Sequence, residues 1–94
     1  MDAESMRNIQ AENMKRSRLK IPMMFMTDII HGYQTIFPVP LAMSCSFNPE
    51  LVEKSAAVSA KEGSAAGYQV TFSPMVDVVR DPRWGRGHGK FWRR

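Results

Sequence analysis

The sequence predicts an α/β chain in which parallel strands are joined by a helix, and three observations predict it. The unbroken apolar run Met23–Met26 has the composition of a strand buried on both faces. A well-capped helical stretch opens at Asn48–Pro49 and closes at Gly67. A second apolar segment, Tyr68–Phe72, follows at once, so strand, helix and strand succeed one another at the spacing of a βαβ unit.

The elements follow in chain order. Residues 2–18 read as a helix: Asp2 is a capping residue, and good helix formers such as Ala3, Glu4, Met6, Gln10 and Glu12 come after it. Its apolar stripe is thin (Met6, Ile9 and Met14), so it needs a packing partner. Pro22 disfavours helix and biases Ile21 to extended geometry, which leads into the Met23–Met26 strand. That strand ends at Thr27–Asp28. Residues 29–48 form a long connection broken by Gly32, Pro38 and Pro40, with room for one helical turn at Leu41–Cys45. Its apolar residues Phe37, Val39, Leu41, Met43 and Phe47 require it to pack down, and long loops in compact domains are usually functional.

In the next helix, Pro49 occupies the first position and Glu50 and Glu53 favour the positive end of the dipole. Two rows stand out, Leu51–Ser55–Val58–Glu62 and Val52–Ala56–Ala60, and the small residues Gly63–Ala66 permit close approach to a sheet. The second strand runs from Tyr68 through Phe72, continues past Pro74 to Met75–Val76, and ends at Asp77. Both strands are thus expected to end in an aspartate, and in a barrel of such units the strand ends form the active face.

Charge is uneven. The chain has 94 residues and a net charge of +4, but the segment Arg80–Arg94 holds Arg80, Arg83, Arg86, Lys90, Arg93 and Arg94 against the single acid Asp81. The rest is close to neutral, so the basic character belongs to one end. Such an end suits a solvated tail, or contact with nucleic acid or acidic lipid. Cys45 is the only cysteine, which rules out an internal disulfide, and no metal-binding cysteine or HExxH spacing occurs. No metal or cofactor is expected. No signal-peptide pattern follows Met1, and no apolar run approaches a membrane span.

Asp28 is the first candidate for chemistry. A carboxylate after an apolar strand either accepts hydrogen bonds from a ligand such as a sugar or caps the strand end. His31 is read as a structural residue, or else a base, a metal ligand or a hydrogen-bond donor, and His88 between two glycines as an exposed one. The segment Arg80–Arg86 combines a proline, a tryptophan and a glycine with three arginines. Its guanidinium groups would donate to vicinal hydroxyls or pair internally with Asp77 and Asp81, with different arginines serving each purpose. Glycosidases use two carboxylates about 5–10 Å apart. Asp28 and Asp77 invite that assignment, but no spacing in the sequence supports it.

Four stretches carry a resemblance to glycoside hydrolase family 3, the β-glucosidase-like group: Ser17–Pro22, Thr27–Gly32, Thr35–Pro38 and Phe72–Arg86. The resemblance implies a partial (β/α)8 TIM-like barrel, an N-terminal domain fragment over residues 1–86. It also implies hydrolysis of β-linked glycosides with retention of configuration, and a β-linked oligosaccharide or glycoside as the partner, not nucleic acid or membrane. Asp28 and Arg86 match positions that hold the sugar, while Asp77, Arg80, Asp81 and Arg83 resemble supports of the loop. The nucleophile and the acid/base come later in the family, so no catalytic residue is assigned and the chain alone is expected to be inactive. The family occurs in the periplasm, outside the cell and in the cytoplasm, so the compartment stays open, with a periplasmic or secreted location favoured for the longer parent. Residues 87–94 depart from the family pattern and are expected to be a divergent basic tail outside the domain.

Overall fold

The computed structural model describes residues 1–85 and the strand residues 91–92. Helix α1 spans Ala3–Arg16, capped by Asp2, whose Oδ1 accepts from the Ser5 amide at 2.8 Å. Of its thin stripe only Met6 is buried, against the Gly67 backbone; Ile9 stays exposed and Met14 half-buried. Polar side chains supply further attachment. Gln10 exchanges two hydrogen bonds with the backbone of Met23, both 2.9 Å, and Asn13 donates to the Ile21 carbonyl at 3.0 Å. Helix α1 is thereby pinned to the lead-in of the first strand.

Strand β1 is Met26–Thr27 and strand β2 is Val70–Thr71. They pair in parallel, Met26 opposite Val70 and Thr27 opposite Thr71. Both are shorter than the apolar runs that predicted them. The reason lies in the partners of the flanking groups: the Phe25 amide donates to the side chain of Gln69 at 2.8 Å, and Met23 bonds to Gln10, so side-chain amides stand where a neighbouring strand would. Nor is the run buried on both faces, since Met23, Met24 and Met26 are exposed. The second strand does not continue to Asp77 either. Pro74 has no N–H to donate to a ladder, and Asp77 instead precedes a new strand, β3, at Val78–Val79. Strand β4, Phe91–Trp92, runs parallel to β3 with Val78 opposite Phe91, and helix α2 (Pro40–Ser44) lies beside it.

Helix α3, Pro49–Ala65, matches its sequence signals at both ends. Asn48 Oδ1 accepts from the amides of Glu50 and Leu51 at 3.1 and 3.3 Å. Gly67 turns the chain out with φ +104°, a conformation that favours glycine. Its buried face corrects the pattern. Ser55, Ser59 and Gly63, each four residues apart, face inward, while Leu51, Val58, Ala56 and Ala60 are exposed. Small side chains let the helix approach the strands closely. Burying the two serines costs little, because Ser55 Oγ donates to the Val52 carbonyl and Ser59 Oγ to the Ser55 carbonyl, both at 2.8 Å.

Closest approach comes at Gly63. A Cβ there would lie 2.5 Å from Ile29 Cδ1, and Ile29 is itself only 5% exposed. Gly63→Ala should therefore destabilise the chain by about 1–2 kcal/mol, the cost of overpacking reduced by the gain in helix propensity. In an Ile29→Val background, which removes the Cδ1 atom, the same substitution should become neutral or stabilising. Denaturant melts of the four proteins check this, and equal penalties in both backgrounds would show that the two side chains do not meet.

The described packing is open. The radius of gyration is 16.8 Å and the principal extents are 52 × 25 × 16 Å. A compact domain of this length would have a radius near about 12 Å. Leu19, Ile21, Phe47, Leu51, Phe72 and Val76 are all more than half exposed. The described core is correspondingly small, with Met6, Ile29 and Val79 as its buried apolar side chains.

Candidate functional site

Asp28 comes directly after β1, between half-buried Thr27 and buried Ile29, and is exposed. The alternation of an extended chain explains this: anchoring Ile29 under α3 turns the preceding residue outward. The end of β2 is fastened to the same place. Ser73 Oγ donates to the Ile29 carbonyl at 2.5 Å and lies 2.9 Å from Thr71 Oγ1, while the Phe72 amide donates to the Thr27 carbonyl at 3.2 Å. An exposed carboxylate is thus presented at the C-terminal ends of two parallel strands. As an exposed acceptor it carries no burial cost of its own.

The segment after Asp28 makes a tight turn. Gly32 adopts φ +111° and bridges to Ile36 in antiparallel fashion, and the Phe37 amide donates to the His31 carbonyl at 2.8 Å. His31 contributes its backbone to the turn, and its side chain is exposed. Glu62 of α3 grips the tip. Its Oε2 accepts from the amides of Gln34 and Thr35, both at 2.9 Å, and its Oε1 accepts from Thr35 Oγ1 at 2.6 Å. These bonds to the ionised form, the Thr35 hydroxyl foremost, hold the Glu62 carboxyl below its ordinary range. Beside it, Tyr33 meets Tyr68 edge to face with ring centroids 5.7 Å apart, and desolvation together with Tyr68 pushes the Tyr33 hydroxyl up.

Sequence reasoning gave Glu62 no role beyond membership of a helix row. A signal was present: an acid in the last turn of a helix opposes the dipole and calls for compensating donors.

The arginine-rich segment resolves in part. Asp81 caps the single 3-10 turn Pro82–Trp84, accepting from the Arg83 amide at 2.9 Å. It also pairs with the Arg83 guanidinium, whose terminal nitrogen stands 2.6 Å from Oδ2. Arg83 is therefore an internal partner in this loop, and the contact, followed by the Arg83 amide, lowers the Asp81 carboxyl. Arg80 is exposed, and Asp77 is exposed and engaged in an interaction of its own. Arg86, expected to hold sugar with Asp28, lies outside the described residues, as do the basic residues Lys90, Arg93 and Arg94. Among the described residues no group of three His, Cys, Asp or Glu side chains could hold a metal, and no helix is long and apolar enough to cross a membrane.

Comparison with known proteins adds the context of this geometry. Residues 1–93 match the glycosyl hydrolase family 3 N terminal domain. A periplasmic beta-glucosidase of Salmonella typhimurium is 46% identical over 88 residues, which is 94% of this chain and 12% of that protein. A putative beta-xylosidase of Formosa agariphila is 36% identical over 83 residues, covering 84% of this chain and 11% of its own. Among solved structures, the beta-glucosidase of Listeria innocua in complex with gluconolactone superposes with a TM-score of 0.87 at 56% identity, over 94% of this chain and 12% of that one. A mutant of the same enzyme in complex with laminaribiose gives 0.85 at 53% identity, over 96% and 13%. The chain thus spans about an eighth of the length of these relatives. On this evidence the chain belongs to glycosyl hydrolase family 3, within its N-terminal domain.

Proposed function

We propose that the chain is part of the sugar-binding barrel of a β-glucosidase-like hydrolase that removes terminal β-linked glucose or a similar sugar, and that Asp28 accepts hydroxyl hydrogen bonds from it. The observation that carries this reading is the exposed Asp28 carboxylate at the ends of two parallel strands. The likeness to an enzyme solved with glucose, gluconolactone and laminaribiose supports the sugar as its ligand. The parallel pairing of β1 and β2 across α3 supports a (β/α)8 barrel, whose strand ends form the binding face. Arg86 contributes a second, donating contact in this reading. The periplasmic Salmonella relative supports a periplasmic or secreted location for the longer parent.

Catalysis in such enzymes takes two carboxylates, one as nucleophile and one as acid/base. In the family resemblance both belong to later segments, so the 94-residue chain retains at most weak sugar binding. Purified chain should not hydrolyse aryl β-glucosides above background, while a glucose titration followed by NMR should shift the Asp28 signals. Turnover that survives repurification and disappears in Asp28→Ala would refute the assignment of the catalytic groups elsewhere.

A further inference from the structure

The geometry points to Glu62 as a positioning residue for the sugar site, acting through the His31–Phe37 turn on the backbone that carries Asp28. The inference rests on the reading of Asp28 as a sugar ligand. Glu62 holds the turn by three hydrogen bonds, two from main-chain amides and one from a hydroxyl, at 2.6–2.9 Å. A carboxylate with both oxygens so engaged fixes orientation as well as distance. In the same turn of α3, one residue later, Gly63 admits Ile29, the immediate neighbour of Asp28. The end of α3 thus holds the chain on the C-terminal side of Asp28 at two points, residue 29 and residues 34–35.

Between those points the path is short and internally tied. Gly32 bridges to Ile36, and the Phe37 amide closes on the His31 carbonyl. Rotation of the tip therefore transmits to His31 and from there toward residues 28–30. On the other side, Asp28 is fixed by the β1–β2 ladder. The carboxylate of Asp28 itself is exposed, so its aim is set by these backbone anchors rather than by a side-chain packing cage. Misplacing a binding group by even a fraction of an ångström weakens the interactions it makes.

The test uses the full 94-residue chain with Glu62→Gln, Glu62→Ala and Thr35→Val, and Glu53→Gln as a control on the same helix. Readouts are amide exchange at Gln34 and Thr35, NMR signals of residues 28–32, helix content, and the glucose titration. Expected are protected Gln34 and Thr35 amides in the wild type. Glu62→Ala should lose that protection and shift the Asp28 signals, with helix content retained, whereas Glu62→Gln, whose amide oxygen still accepts from both main-chain amides, should keep most of it. Glucose affinity should fall by about tenfold in Glu62→Ala. Thr35→Val, which keeps both amide bonds, should have a smaller effect in the same direction, and the control none. Changes confined to residues 33–37, with Asp28 signals and glucose affinity intact, would overturn the inference and leave Glu62 a purely structural clamp. Unprotected Gln34 and Thr35 amides in the wild type would overturn it as well. If the wild type shows no glucose response, the sugar reading fails, while the Asp28 signals still decide whether Glu62 positions that residue.

Discussion

Gly32→Ala is expected to lower stability by about 3 kcal/mol or more and to abolish the ordered His31–Phe37 turn. Two costs combine at this position. The backbone stands at φ +111°, where a side chain is strained by about 1–3 kcal/mol. A Cβ would also run into the Thr35 carbonyl, which is backbone and cannot swing aside as a side chain does. Small domains have total stabilities of only about 5–15 kcal/mol, so a loss of this size is a large fraction of what is available. Gly85 supplies the comparison: it too has positive φ, +85°, but no described residue lies within 4 Å of the Cβ site. Gly85→Ala should incur only the conformational cost. Thermal melts of both variants, with exchange at the Gln34 and Thr35 amides, measure the difference. Equal penalties would show that the Thr35 carbonyl yields.

On the proposed role of Asp28, Asp28→Asn in the full-length parent is expected to lower the kcat/KM of glycoside hydrolysis by about 30- to 1000-fold, corresponding to about 2–4 kcal/mol. A carboxylate accepts hydroxyl hydrogen bonds more strongly than an amide oxygen does. Asparagine keeps the shape, removes the charge and sets a donor where an acceptor is needed. The exposure of Asp28 separates this effect from folding: a side chain in solvent at a strand end has little packing to lose, so the melting temperature should barely change. Kinetics and a melting curve on the same preparation test both halves. Near-normal kcat/KM with a large fall in melting temperature would make Asp28 a strand cap.

The helices were legible because their ends are written locally. Asp2, Asn48, Pro49 and Gly67 each act within a few residues of themselves, and the short turn at Pro40–Ser44 follows from two prolines and a compact apolar run. The buried face of α3 was not legible. Hydrophobicity directs attention to Leu51 and Val58, whereas close approach selects the small residues Ser55, Ser59 and Gly63, and only the tertiary position of Ile29 reveals that choice. Strand lengths failed for a related reason. An apolar run measures willingness to pair, but length is set by the partner, and side-chain amides from Gln10 and Gln69 replaced one. Asp28 could be found from a polar residue closing an apolar run. Glu62 showed only the local signal of an acid in a last helical turn, and its partners Gln34 and Thr35, 28 and 27 residues away in sequence, could not be read from it.

The borrowed amides at the first strand have a colloidal consequence. In an extended run, backbone groups alternate between the two edges. Met23, Phe25 and Thr27 bond toward Gln10, Gln69 and Phe72, so the groups of Met24 and Met26 are directed to the opposite edge. Four consecutive uncharged apolar residues along such an edge form a template for strand addition by another molecule. Lys20 and Pro22 guard one end of this run, and the negative charge of Asp28 guards the other. The carboxylate proposed to recognise a sugar would thus also serve as a gatekeeper against aggregation at that end, and its conversion to an uncharged residue would remove both roles at once.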